Sequence, residues 1–153
     1  MEIEDLLSAD SILADFKASS KKQALQSLAK QLAQLHGLCE REVFANLLDR
    51  EKLGSTGVGK GVAVPHARVD GLPGIVGFFA KLPNPIDFDA VDDHPVDLIF
   101  MLLAPEEAGT DHLKALAKVS RLLRDDNTCA KLRLTSDAGA LYAMLATPAS
   151  AAA

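Results

Sequence analysis

Leu25, Leu28, Leu32 and Leu35 recur at the spacing of one helical face. Ser20-Lys21-Lys22-Gln23 forms a capping box that opens this helix, and Gly37 stops it. A second helix starts at about Glu40, with Val43, Phe44, Leu47 and Leu48 on its buried face and Gly54 as its stop. Upstream, 11–16 alternates as a short strand with Ile12, Ala14 and Phe16 on one side. Gly61-Val62-Ala63-Val64-Pro65 reads as a second short strand, ended by Pro65. The strongest strand patterns are 74–82 and 96–104, the latter apolar throughout beyond Asp97, as for a strand covered on both faces. Between them the proline-punctuated "PNPIDFDAVDDHP" reads as a loop. Thr110 or Asp111 caps a third helix carrying Leu113, Leu116, Val119 and Leu123. One or two short helices follow in "DDNTCAKLRL" and "SDAGALYAML". Helices and strands interleave, which predicts a layered α/β domain over 1–146, with 147–153 as a disordered Ala-rich tail.

Composition narrows the class. With 153 residues, 48% of them apolar and 24% charged, the chain has the make-up of one soluble domain. A net charge of −5 argues against a broad nucleic-acid surface, which Lys and Arg would have to supply. The opening Met1-Glu2-Ile3-Glu4-Asp5 is acidic where a signal peptide is basic. No apolar run approaches the roughly 20 residues that span a bilayer, so no direct membrane insertion is expected. Cys39 and Cys129 make neither a CxxC nor a zinc spacing. A cytoplasmic protein with reduced thiols is the expectation.

One stretch invites a nucleotide reading. "GSTGVGKG", 54–61, has Gly54, Gly59 and Lys60 where a Walker phosphate loop needs them, but Gly61 where the magnesium-binding hydroxyl belongs. A Walker loop also leads from a strand into a helix. Here a helical pattern precedes the glycines and a strand follows, so a flexible turn is the plainer reading. That turn delivers the chain to Pro65 and His66.

The histidines His36, His66, His94 and His112 fit no metal motif, and no metal or other cofactor is expected. His36, at a helix end, suits a C-terminal charge interaction; His94 lies in an acidic, solvated loop. His112 lies in the first turn of a helix, beside N–H groups that favour an anion. Taken singly, His66 and His112 are also consistent with ordinary surface or core residues.

The surrounding string points further. In "DREKLGSTGVGKGVAVPHAR", Glu51, Val58-Gly59, Val62-Ala63-Val64, Pro65-His66 and Ala67 fill without a gap the active-site pattern of a known family. The chain resembles the enzyme IIA domains of the phosphotransferase system, of the fructose–mannitol–nitrogen-regulatory class. Downstream, "PIDFDAVDDHPVDLIFMLLAPEEAGTDHLKALAKVSRLLRD" is similar to the nitrogen-regulatory branch in particular, and the likeness covers about residues 10–146.

The resemblance implies a mixed β-sheet between helical layers. It implies that His66 is phosphorylated on Nε2 by the phosphocarrier HPr or its nitrogen-branch relative, with no nucleotide and no metal. Arg50 falls on the family's active-site arginine and His112 on its second histidine. Ser55 and Thr56 match the "ST" before the glycines and are expected to support the phosphoryl site, the glycines letting a partner approach closely. Val58, Gly59 and Val62 are expected to form an apolar docking patch. Lys60 stands where many relatives carry Asn, and Arg68 also departs from several relatives. Three roles stay open: a regulator whose targets depend on its phosphorylation state, a sugar-transport component handing phosphate to a separate IIB protein, and a binding module with an idle histidine.

Overall fold

The computed structural model describes residues 2–146, so the tail expected at 147–153 lies outside the described residues. Six strands are described: β1 (Ile12–Leu13), β2 (Gly57–Gly59), β3 (Val62–Ala63), β4 (His66–Arg68), β5 (Val76–Ile86) and β6 (Val96–Ala104). They form one mixed sheet in the order β1-β5-β6-β3-β2, with β4 also pairing β6. β1 runs parallel to β5, β5 antiparallel to β6, and β3 and β4 parallel to β6.

β6 is central because its sequence suits nothing else. Ile99, Met101 and Leu103 join one apolar cluster, whereas Leu98, Phe100 and Leu102 join another on the opposite face. Each such side chain, fully buried, contributes about 1.5–3 kcal/mol. One face is covered by α2 (Lys21–His36) and α3 (Glu40–Lys52), through Leu25, Leu28, Leu32, Val43 and Leu47. The other is covered by α1 (Ile3–Leu6), α4 (Thr110–Arg124), α5 (Asp126–Leu134) and α6 (Ala138–Ala146). A mixed sheet between helical layers is therefore the observed fold.

The helix boundaries follow local chemistry. Ser20 Oγ accepts from Gln23 N at 3.1 Å, but Gln23 Oε1 takes the N–H and hydroxyl of Ser19 rather than closing the box on Ser20. Gly37 ends α2 in the left-handed region, at φ 66°. His36 is not held there as a C-terminal cation: its Nε2 is buried without a partner, and burial lowers its pKa. Gly109, not Thr110 or Asp111, is the N-cap of α4.

Several expected boundaries move. Phe16 packs with α2 and α3, whereas Ile12 lies in the opposite cluster with Ala14 packed against it, because the chain bends after Leu13. β5 continues through Pro83 and Pro85 to Ile86, where a loop was expected. β1 pairs only Phe79 and Ala80, and the β5–β6 register shifts between Lys81 and Ile86, so these prolines interrupt no continuous ladder. On α4, Leu113 faces outward, and Ala115, Val119, Leu122 and Leu123 form the buried stripe.

Candidate functional site

Pro65 divides one strand track into two pieces. Val62 pairs with Leu98 and His66 with Leu102, so β3 and β4 keep one register along β6. Pro65 has no N–H to give, but its carbonyl still accepts from Leu102 N at 2.9 Å. His66 therefore opens a new strand rather than hanging from the end of the old one. Strand alternation points His66 and Arg68 away from the cluster that Ala67 joins, toward the side covered by α4. From the other layer, α3 reaches β4: Asn46 Nδ2 donates to Arg68 O at 2.9 Å.

Two hydrogen bonds fix the imidazole. His66 Nδ1 lies 2.9 Å from Val64 O, a pure acceptor, so Nδ1 carries the proton. Nε2 then has its lone pair free, and it accepts from Arg50 Nε at 3.1 Å. Arg50 is held in turn by Nη1 donating to Gly54 O at 2.9 Å. His112 stands edge-on to His66, with ring centroids 5.5 Å apart and planes at 78°. Arg50, His66 and His112, expected to share a site, are thus brought together.

Burial favours the neutral form of both rings. Burial lowers the His66 pKa most; its bond to Val64 opposes this, Arg50 lowers it further, and Glu51 raises it. His112 is only 6% exposed, and its Nε2 has no hydrogen-bond partner. Burial first, then the charges of His66 and Arg68, bring its pKa down to about 4. A free imidazole titrates near 6.5. Between those values the unfolded chain binds a proton that the folded chain does not, so stability falls as the pH drops through this window. The expected loss is about 1–2 kcal/mol after allowing for solvent screening. Urea midpoints of wild type and His112→Gln, compared at neutral pH and near pH 5, check this; the variant should lose less on acidification.

Ser55 and Thr56 are present but already engaged. Ser55 Oγ donates to Phe88 O at 2.7 Å and accepts from Gly57 N at 3.0 Å. Thr56 is buried, and its N–H and hydroxyl meet Glu51 Oε1 and Oε2 at 3.1 and 2.5 Å. Glu51 also pairs with Lys21 Nζ at 2.9 Å, and that ammonium lies over the Phe88 ring. Sequence reasoning gave Glu51 no role beyond its place in the family pattern. No local signal marked Lys21 as its partner.

The glycines serve the hairpin rather than an approaching partner. β2 and β3 pair antiparallel, and Gly59, Lys60 and Gly61 turn the chain with φ of 103°, 57° and 81°. A Cβ on Gly57 would lie 2.9 Å from Ala90 Cβ, and one on Gly61 2.6 Å from Arg133 Nη2. That guanidinium is fixed by Asp97 and by Lys60 O, so the Walker hydroxyl has no room at position 61. Lys60 is thus a non-glycine residue held at positive φ, a region that Asn and Asp enter more readily than Lys.

Of the expected docking patch, Val62 is corrected. Val62 is wholly buried among the side chains under α4 to α6 and cannot meet a partner. Val58 is exposed, but it and Gly59 sit on the hairpin that pairs at the Leu98 end of the sheet. His66 lies at Leu102, about 13 Å further along β6. Two further exposed apolar side chains lie close in sequence to the site residues: Leu53, 84% exposed, at the end of α3 after Arg50, and Leu113, 65% exposed, next to His112 on α4.

Comparison with known proteins places the sequence and fold in a family. The family model described as "Phosphoenolpyruvate-dependent sugar phosphotransferase system, EIIA 2" matches residues 5–147. A nitrogen regulatory protein of Bradyrhizobium diazoefficiens is 56% identical over 153 residues, covering 100% of both chains. The crystal structure of nitrogen regulatory protein IIA-Ntr from Neisseria meningitidis superposes with a TM-score of 0.88 at 38% identity, covering 94% of this chain and 98% of that one. Mannitol enzyme IIA of Escherichia coli, solved in complex with phosphorylated mannitol enzyme IIB, gives a TM-score of 0.75 at 25% identity, covering 90% and 96%. The chain belongs to the EIIA type 2 family of the phosphoenolpyruvate-dependent sugar phosphotransferase system.

Proposed function

We propose that this chain accepts a phosphoryl group on Nε2 of His66 from HPr or its nitrogen-branch relative, and that the phosphorylation state selects its regulatory targets. One observation carries the reading: Nδ1–H of His66 is committed to Val64 O, which leaves the Nε2 lone pair as the nucleophile, with Arg50 on it. As Nε2 attacks, the N–P bond of the donor phosphohistidine breaks and its electron pair returns to the donor ring. No proton has to leave His66, because Nε2 carries none. Arg50 Nε shifts from the consumed lone pair to the phosphoryl oxygens, where its planar fork neutralises charge spread over them. His112, neutral and with an unpartnered Nε2, stands ready to bond the same group. Leu53 and Leu113 frame the surface on which the donor docks briefly.

A dianionic group on this surface changes its electrostatics enough to switch a protein interface. The full-length similarity to nitrogen regulatory proteins favours this regulatory role. The second reading, transfer onward to a separate IIB protein, draws on the likeness to mannitol enzyme IIA, whose structure is a complex with phosphorylated IIB. The test is incubation with phosphoenolpyruvate, enzyme I and an HPr-type carrier, followed by addition of a IIB protein. Label that enters this chain and stays supports the regulator; label that passes to IIB and then to sugar supports the second reading. Wild type that never takes label would overturn both.

A further inference from the structure

His112 makes no side-chain hydrogen bond through Nε2, yet its ring meets His66 in a defined edge-on geometry. Its placement depends on the start of α4, whose first turn carries it. That start has no ordinary fastening: Gly109 is the N-cap, at φ 60° and ψ −131°, and no side chain caps the helix. What spans the gap is Arg68. It sits on β4 two residues beyond His66, paired with Ala104, the last residue of β6. Nη1 donates to Glu106 O at 3.0 Å and Nη2 to Gly109 O at 3.2 Å, so one guanidinium ties β4 across the whole connection from β6 to α4. The strand below is held from the other layer by Asn46 on Arg68 O.

We propose that Arg68 is the positioning residue of the site: it clamps the Glu106–Gly109 connection and so sets His112 against His66. It acts on the reaction through His112 and is not itself a ligand of the transferred group. The proposal rests on reading His66 as the phosphoryl acceptor, but its structural half does not. The guanidinium is also one of the charges, with His66, that keep His112 neutral once burial has acted. Lys at this position would retain the charge, but its single nitrogen cannot reproduce a planar fork on two carbonyls.

The experiment uses the full chain with Arg68→Met and Arg68→Lys, and circular dichroism to establish that each is folded. Imidazole NMR titration of unphosphorylated protein gives the His112 midpoint and the nuclear Overhauser contact between the two rings. Single-turnover phosphorylation from an HPr-type carrier gives rate and donor dependence separately. Arg68→Met is expected to raise the His112 midpoint, to weaken the ring contact, and to slow transfer roughly tenfold to a hundredfold with donor half-saturation unchanged. Arg68→Lys should keep the midpoint low but still lose the ring contact and part of the rate. Ring contact and rate at wild-type values in folded Arg68→Met would overturn the proposal. So would a defect confined to donor half-saturation, which would make Arg68 a docking residue. Wild type that takes no label would defeat the His66 reading instead, and the NMR arm would still judge the clamp.

Discussion

His66→Ala is expected to abolish phosphoryl uptake from an HPr-type donor, and Arg50→Met to slow it by about 10²–10³-fold. The two effects differ because the residues do different things. On the proposed reading His66 supplies the atom that forms the bond, and the His112 ring is poorly placed to replace it: it is 5.5 Å away, tilted by 78°, and its Nε2 has no hydrogen-bond partner among the described residues. Arg50 supplies a charge already aimed at Nε2 by its own bond to Gly54 O, so the donor's phosphoryl meets a pre-oriented guanidinium. Rates measured by rapid quench with donor in excess check this. Arg50→Lys should recover little, because the ammonium cannot hold Gly54 O and the phosphoryl group together. Uptake by His66→Ala at even a hundredth of the wild-type rate would show that another nucleophile carries the group.

Glu51→Ala is expected to cost about 3–5 kcal/mol of stability, the usual penalty for breaking a buried ion pair from one side. The Glu51 side chain is only 5% exposed and that of Lys21 18%. Removing the carboxylate leaves the ammonium without its 2.9 Å partner and strips Thr56 of the acceptors for both N–H and hydroxyl. For a chain of this size the melting temperature should drop by about 10 °C. Glu51→Gln, which keeps one acceptor oxygen and replaces the other with an NH2 that the Thr56 hydroxyl can accept from, should lose less. Lys21→Met combined with Glu51→Gln should cost less than the sum of the two single changes. A Glu51→Ala midpoint shifted by under about 1 kcal/mol would mean the pair behaves as an exposed one. The network matters to the site because it joins α2 and α3 to the segment bearing Ser55 and Thr56, directly behind Arg50. On the proposed reading it would also let an acidic residue sit close to the phosphoryl site, because its charge is already answered by Lys21.

How much of this was legible in the sequence depended on the range of the forces involved. β6 was read correctly from Val96 to Ala104 because a run apolar on both faces has one place to go, the middle of a covered sheet. The helices Lys21–His36 and Glu40–Lys52 were legible from periodicity and from local stops such as Gly37. The β2 strand was not, because Gly57-Val58-Gly59 has a poor strand composition and becomes extended only by pairing with Val62 and Ala63. β5 ran further than its prolines suggested because no strand lies against them, a fact of sheet order that the local sequence does not carry. Within the site, His66, Arg50 and His112 were found through the family pattern. The Lys21–Glu51 pair and the grip of Arg68 on Glu106 and Gly109 join residues 30, 38 and 41 positions apart and leave no periodic trace. Val62 differs for a simpler reason: an apolar residue near the histidine suits a docking surface or a core equally, and β3 is covered on both faces, Val62 joining one apolar cluster and Ala63 the other.

The most direct test is the identity of the phosphorylated nitrogen. Full-length protein, labelled with ¹⁵N in its histidines, would be phosphorylated through the HPr-type carrier, and the imidazole resonances followed by long-range ¹H–¹⁵N correlation. The account predicts a single phosphorylated ring, His66, modified at Nε2 with Nδ1 still protonated and facing Val64 O. Phosphorylation at Nδ1 of His66, or on the ring of His112, would contradict it.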